Sequence, residues 1–144
     1  MFIGQFDHAL DKKGRLVMPS RFRELFQEQY IEQFILTKWF DECLRLFPLP
    51  EWKILEKKWA ALPQTDANAR YVLRNIFSNA VDATIDRQGR IFVPIVLREK
   101  VGIEKSVVVI GLSNYIEIWA QSKWKQYHHD TARPFEEIAQ ALGV

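Results

Sequence analysis

The sequence predicts a strand-rich α+β fold written twice, on three observations. "ALDKKGRLVMPSRFRE" (Ala9 to Glu24) and "TIDRQGRIFVPIVLRE" (Thr84 to Glu99) repeat one pattern, with Asp-x-x-Gly-Arg at the centre of each. Laid over each other, Asp7 falls on Asp82, Asp11 on Asp86, Gly14 on Gly89, Arg15 on Arg90, Pro19 on Pro94, Arg23 on Arg98 and Glu24 on Glu99. The apolar positions between them agree as well: Phe6 with Val81, Leu10 with Ile85, Leu16 with Ile91 and Phe22 with Leu97. Downstream of each copy, short β-branched and aromatic runs give way to helically spaced apolar residues. So many spaced identities at one constant offset point to an internal duplication.

Phe2 to Leu10 has strand composition, and Asp11-Lys-Lys-Gly14 supplies a turn. Asp at the first position bonds its own backbone, and Gly at the fourth tolerates a left-handed conformation. Leu16 to Met18 predicts a short returning strand, stopped by Pro19, which has no N–H for a ladder. Ser20 is read as the cap of a short helix with Phe22, Leu25 and Phe26 on one face. Phe34 to Thr37 and Cys43 to Phe47 are strands joined by a turn at Asp41-Glu42. Pro50 is expected at the first position of a helix in which Trp52, Leu55, Trp59 and Leu62 share a face, with Pro63 ending it. Asp66 caps a further helix through Ile76 that joins the halves.

The second half repeats the plan: a strand over Ala80 to Ile85, a turn over Asp86 to Gly89 and a strand over Ile91 to Val93. A short helix follows Pro94 to Val101 and is closed by Gly102. Val107 to Ile110 and Tyr115 to Trp119 form a hairpin around Ser113-Asn114, and Ser122 caps a helix whose Trp124 corresponds to Trp52. Phe135 to Leu142 predicts a last helix. The organisation expected is a first half over 1–62, a helical connection over 63–79, a second half over 80–131 and a C-terminal helix over 132–144.

With 144 residues, 48% of them apolar and 26% charged, the chain has globular composition and length for one ordinary domain or two small units sharing a core. The net charge is only +2, so charge location has to carry any argument for a polyanionic partner. Lys12, Lys13, Arg15, Arg21 and Arg23 cluster early, with only Asp7, Asp11 and Glu24 nearby. Cys43 is the only cysteine, which rules out an intrachain disulfide and favours a reducing compartment. The first residues do not read as a signal peptide, and the longest apolar run, Val107 to Leu112, falls far short of a bilayer span. The expectation is a soluble intracellular protein with no membrane partner.

Catalytic and metal chemistry find no footing in the motifs. Neither Gly-x-x-x-x-Gly-Lys-[Ser/Thr] nor Gly-x-Gly-x-x-Gly occurs. His8, His128 and His129 lack metal-ligand spacing, and Cys43 has no cysteine nearby. Nothing beyond composition suggests a Cys43–His nucleophile pair, and Asp41 and Glu42 sit in a turn where solvated acids are ordinary. No catalytic residue, metal, cofactor or small-molecule substrate is expected, and the protein is read as not an enzyme.

The repeated turn remains. As structure alone it is a tight turn with an Asp–backbone hydrogen bond and a solvent-facing Arg. As function, short loops carrying Lys12, Lys13, Arg15, Arg87 and Arg90 suit phosphate contacts and the guanine edge in the major groove, with Asp11, Gly14, Asp86 and Gly89 shaping the turns. Trp52, Trp59 and Trp124 are candidates to stack single-stranded bases, but their register with Leu55 and Leu62 favours core or subunit-interface packing.

Two Asp-x-x-x-Arg elements, Asp11–Arg15 and Asp86–Arg90, stand one in each half. Together with "KGRLVMPSRFRE" (Lys13 to Glu24) and "LFPLPEW" (Leu46 to Trp52), they resemble the MraZ family over essentially the whole chain, the tail beyond Thr131 being the least informative part. The resemblance implies two fused swapped-hairpin halves of the AbrB/SpoVT type, forming a pseudo-twofold barrel with flanking helices. It implies a bacterial cytoplasmic, nucleoid-associated transcriptional regulator, usually a repressor, assembled as a closed homo-oligomeric ring. Such a ring binds short direct repeats in double-stranded DNA upstream of its own operon, the division and cell-wall gene cluster. The family's DNA-contacting motif falls on Asp11, Arg15, Asp86 and Arg90, with Lys13 between the first pair. In the second copy Gln88 replaces Lys13 and Val96 replaces Arg21, which leaves two readings of that turn: a weaker DNA contact, or a part that mainly shapes the barrel. The alternative to DNA readout is a ring-forming scaffold or protein-interaction module whose turns dock an acidic surface.

Overall fold

The computed structural model describes residues 1–130 and 134–144, and its elements follow the duplicated order. The first half contains β1 (Phe2–Ala9), β2 (Arg15–Val17), α1 (Ser20–Glu28), β3 (Gln33–Lys38), a 3-10 turn (Phe40–Glu42), β4 (Leu44–Pro48) and α2 (Leu49–Ala60). Helix α3 (Ala67–Ser78) leads into the second, with β5 (Ala80–Thr84), β6 (Arg90–Phe92), α4 (Ile95–Lys100), β7 (Ser106–Ser113), β8 (Tyr115–Ala120) and α5 (Gln121–Asp130). Helix α6 (Phe135–Ala141) comes last. The boundary expected at 131 and 132 lies outside the described residues.

The strands are shared between the halves. A six-stranded antiparallel sheet runs β1-β7-β8-β4-β3-β5, and β2 pairs with β6 in a separate two-stranded ribbon. Each half's first strand therefore pairs with the other half's third, β1 with β7 and β5 with β3. Exchanging β1 to β4 for β5 to β8 reverses the sheet order onto itself, a pseudo-twofold relation that passes between β4 and β8. The sheet is open, with β1 and β5 at its edges.

Both faces of this sheet are covered, which is why its central strands read as unbroken apolar runs. Phe34, Leu36, Leu44, Leu46, Val107, Val109, Ile116 and Ile118 join one cluster with Leu16 and Ile91 of the ribbon and Phe22 and Leu97 of α1 and α4. Ile35 and Phe47 turn the other way, against Trp52, Leu55 and Trp59 of α2 and Ile76 of α3. Val108, Ile110 and Trp119 pack likewise against Trp124 and Tyr127 of α5. Trp52 is buried and meets Phe47, Trp59 and Phe77 at ring-centroid distances of 5.7, 5.3 and 5.8 Å. The helix tryptophans fill the space between helix and sheet rather than offering open stacking platforms.

Prolines set the helix starts. Pro19, Pro48, Pro94 and Pro134 are the N-cap residues of α1, α2, α4 and α6, at φ −52°, −53°, −58° and −55°. A proline there gives up no ladder bond, and its fixed φ turns an extended chain into a helix. Three expectations are corrected accordingly. Ser20 is the first residue of α1 rather than its cap, and no side chain caps that helix. Ser122 lies within α5, which begins at Gln121. Pro50 takes the second helical position of α2, because Leu49 is the first. Asp66 does cap α3, its Oδ1 accepting from the backbone N–H groups of Asn68 (2.8 Å) and Ala69 (3.4 Å).

At the pseudo-twofold relation Arg45 of β4 stands directly opposite Glu117 of β8. Arg45 Nε donates to Glu117 Oε2 at 2.8 Å, and Trp119 Nε1 donates to Oε1 at 3.1 Å. The guanidinium lies 4.9 Å from the Trp39 ring centroid and 4.3 Å from that of Tyr115. Counted back from Trp52 and Trp124, Arg45 and Glu117 are the same position in the two halves. The largely covered pair is thus satisfied only between unlike halves, since like halves would oppose like charges. Arg45→Met is expected to lower the unfolding free energy by about 2–4 kcal/mol in urea melts, by leaving Glu117 charged among aromatic rings. Adding Glu117→Gln should recover much of that loss.

Candidate nucleic-acid interface

The two Asp-x-x-Gly-Arg turns have one geometry. Asp11 Oδ1 accepts from the backbone N–H groups of Lys13 and Arg15, both at 2.9 Å, and its Oδ2 accepts from Arg15 Nε at 2.7 Å. Asp86 repeats this with Gln88 N (2.9 Å), Arg90 N (2.8 Å) and Arg90 Nε (2.8 Å). The turns close through Gly14 N to Asp11 O and Gly89 N to Asp86 O, each 3.0 Å, with the glycines at φ +80° and +75°. These hydrogen bonds, first of all the Arg15 and Arg90 backbone N–H groups, hold both carboxyls below the ordinary aspartate value.

The arginines are therefore not the open, solvent-facing side chains that the turn alone suggests. Their side chains are 30% and 24% exposed, and each is tethered to its aspartate through Nε, so the Nη donors are not spent on that pair. Arg90 Nη2 also reaches Gln88 Oε1 at 3.4 Å, a long contact, and the first turn has no equivalent acceptor at Lys13. Lys12, Lys13 and Arg87 are exposed at the turn tips.

The ribbon brings the turns together. Leu16 and Ile91 are directly opposite and fully buried, so Arg15, Val17, Arg90 and Phe92 share the outer face. Arg15 stands opposite Phe92 and Arg90 opposite Val17, which makes the arginines diagonal neighbours roughly 7–8 Å apart at Cα. The antiparallel pairing puts Lys12 and Lys13 at one end of this pair of arginines and Arg87 at the other.

Each turn is also locked by the other half. Met18 N donates to Gly89 O and Val93 N to Gly14 O, both at 2.9 Å. Arg23 Nε donates to Met18 O (3.0 Å) while its stem crosses Gly89, where a Cβ would lie 2.1 Å from Arg23 Cδ. Arg98 does the same over Gly14, bonding Val93 O at 2.9 Å and leaving 2.8 Å between its Nη2 and a Cβ there. Sequence reasoning gave no role to Arg23 and Arg98. Their recurrence at matched positions in both copies was the signal available.

The other candidate groups lie elsewhere. Cys43 is buried, its thiol pushed upward by that burial and by Glu117, and it donates to Phe40 O. Burial and Arg23 hold His8 below its ordinary value. Among the described residues no group of three His, Cys, Asp or Glu side chains is placed to hold a metal ion, and no helix is long and apolar enough to cross a membrane.

The family profile described as "MraZ protein, putative antitoxin-like" matches residues 1–75 and again 76–143. The chain belongs to the MraZ family. It is 45% identical over 144 residues to the "Transcriptional regulator MraZ" of Limosilactobacillus reuteri (strain DSM 20016), covering 100% of this chain and 99% of that one. The proteins of the same name from Pelotomaculum thermopropionicum and Heliobacterium modesticaldum are each 46% identical over 142 residues, covering 99% of this chain and 95% and 96% of theirs. Each of the two MraZ segments carries one turn, Asp11 to Arg15 and Asp86 to Arg90, yet the ribbon needs both.

Gly89→Ala is expected to destabilise by more than the roughly 1–2 kcal/mol that a left-handed φ costs a side chain, because Arg23 must also be displaced. Gly14→Ala should cost less, since its Cβ would lie 2.8 Å from the end of Arg98 and 3.2 Å from Val93 O, against 2.1 Å from Arg23 Cδ at Gly89. Thermal melting of the two variants side by side checks the order. The lowered carboxyls of Asp11 and Asp86 contribute stability that is complete above the ordinary aspartate value of 3.8 and is lost as pH falls through their lower folded values. NMR shifts of the Lys13, Arg15, Gln88 and Arg90 amides should accordingly hold steady above pH about 5 and move only in acid.

Proposed function

We propose that the protein is a sequence-specific DNA-binding transcriptional regulator whose β2–β6 ribbon enters the major groove. The observation that carries this reading is the pair of arginines on the outer face of a two-stranded ribbon, each aimed by its own aspartate. The major groove admits a two-stranded ribbon, and the arginine fork matches guanine O6 and N7. Lys12, Lys13 and Arg87 at the turn tips are suited to the flanking phosphates. In this scheme Asp11 and Asp86 act on the protein and Arg15 and Arg90 act on DNA. The regulator named in the full-length relatives supports the same reading.

One ribbon neutralises too few phosphates for stable binding at cellular salt. A homo-oligomeric ring on short direct repeats upstream of its own operon, the division and cell-wall gene cluster, supplies several ribbons at once and raises avidity without new contacts. The protein then acts as a repressor in the cytoplasm, at the nucleoid. Its halves, 1–62 and 80–131, act as two swapped-hairpin parts of one binding unit, with 63–79 as the connection and α6 as a terminal helix.

Gel shifts with a direct-repeat duplex and a scrambled duplex test this directly. Arg15→Ala is expected to melt close to the parent yet weaken repeat binding by about 1–3 kcal/mol per site. Log affinity should fall by about 0.9 per contacted phosphate with log salt. Equal affinity for both duplexes, with a flat salt response, would return the ribbon to the scaffold reading.

A further inference from the structure

We propose that the cavity beside the second turn binds a free nucleotide, and that the bound anion weakens the hold on DNA. The coupling to DNA rests on the proposed function, whereas the cavity stands on its own geometry. Its volume is about 460 Å³, within the range of small-molecule sites. Arg23, Phe26 and Gln27 of α1 line one side, Tyr30 and Glu32 of the following loop a second, and Arg87 of the second turn a third. Ile85 N donates to Glu32 O at 3.3 Å, which ties the loop of one half to the turn of the other.

Tyr30 is the residue that points to a ligand. Helices α1 and α4 close in the same way: Ile31 N donates to Phe26 O at 2.8 Å, and Ile103 N donates to Arg98 O at 2.9 Å. Each closure puts the residue after the C-cap in the left-handed region, Gly102 at φ +70° and Tyr30 at φ +55°. Helix α4 thus uses glycine where only glycine is unstrained, and α1 holds a tyrosine there. The fold gains no packing in return, since Tyr30 is 92% exposed and its ring and phenol meet no partner among the described residues. A strained, uncovered ring lining a cavity is placed to stack on a planar ring from solution.

Charge selects the rest of the ligand. Arg23 uses Nε on Met18 O and keeps its Nη donors, and Arg87 has no ion pair among the described residues. Asp86 also lines the cavity, but its oxygens already accept from Gln88 N, Arg90 N and Arg90 Nε. Glu32 is then the one lining carboxylate left to oppose two arginines. The two forks suit a phosphate, Tyr30 suits the base, and Glu32 and Gln27 supply acceptors for sugar hydroxyls. The bound anion sits against Arg87, which the proposed function gives to a DNA phosphate, and adds negative charge beside it. Nucleotide and DNA therefore oppose one another, and each lowers the affinity of the other by the same factor.

Calorimetric titration of the full chain with ADP, GDP, CDP and UDP, in the absence of DNA, tests the site. At least one of them is expected to bind about tenfold or more tighter than inorganic phosphate or its own nucleoside. Tyr30→Gly should melt no earlier than the parent, because it relieves the left-handed strain, yet lose about tenfold in nucleotide affinity. Tyr30→Phe keeps the ring and should bind nearly as well as the parent. In gel shifts, saturating nucleotide should weaken repeat binding by the parent about tenfold and leave Tyr30→Gly unaffected. No binding by any of the four nucleotides, or equal binding by Tyr30→Gly, would overturn the site. Binding with no effect on the duplex would overturn the coupling. A parent that binds no duplex at all would sink the proposed function, and the titration would still decide the site. Weaker duplex binding by Tyr30→Gly without added nucleotide would mean that the cavity seats a nucleotide of the DNA itself, which rules out the free ligand.

Discussion

β1 finds its ladder partner in β7, and β5 finds its own in β3, so the backbone groups of each first strand are satisfied only by the other half. The rest of the structure depends on this exchange. β2 and β6 follow those strands through turns of a few residues and are carried across with them, which leaves the two short strands facing each other. A three-residue strand has no stability alone. Here Leu16 and Ile91 close over the common core, and Gly14 and Gly89 accept hydrogen bonds from Val93 and Met18 of the opposite half. The basic ribbon is a product of the exchange, and neither half displays it alone.

Two kinds of ion pair serve this arrangement differently. Arg45 and Glu117 meet between aromatic rings with most of their surface covered, where an unpaired charge is costly, so the pair discriminates between unlike and like pairing of halves. Asp11–Arg15 and Asp86–Arg90 lie at the surface, where solvent screens them and little stability is gained. What the surface pairs supply is direction. A carboxylate already bonded to two backbone N–H groups is a fixed anchor, and an arginine bound to it through Nε has few ways to orient the remaining fork.

The element order was legible in the sequence because it rests on local physics. Asp and Gly at the ends of a four-residue turn, prolines at the helix starts and the spacing of Phe22, Leu25 and Phe26 all act within a few residues. Which strand pairs with which was not legible from composition or spacing, because Val107 to Ile110 reads the same whether β1 or β5 lies beside it. The misplaced caps have a local cause too: Ser20 and Ser122 match the cap preference, but Pro19 and the end of β8 had already set the chain's direction. Lys12, Lys13, Arg15, Arg87 and Arg90 could be found as a cluster of charge. Arg23 and Arg98 could not be separated from it, since each bonds a carbonyl of its own half while its side chain covers a glycine of the opposite half.

Duplication makes the two turns alike in backbone but not in what they present. Arg90 is the less exposed arginine, and its fork is engaged at Nε and, weakly, through Gln88 at Nη2. Arg15 is held at Nε alone, and the residue facing it across the turn is Lys13, a second cation with no competing acceptor. The first turn therefore brings more charge and a more open fork, and the second brings a more constrained one. In a groove-binding role this asymmetry divides the work: attraction to phosphates weighs on the first turn, and fixed placement of a donor weighs on the second. It also breaks the pseudo-twofold of the ribbon on its outer face. Under the proposed function, a symmetric ribbon would read both directions of a duplex equally, whereas an asymmetric one would favour one direction and so suit short repeats that all point the same way.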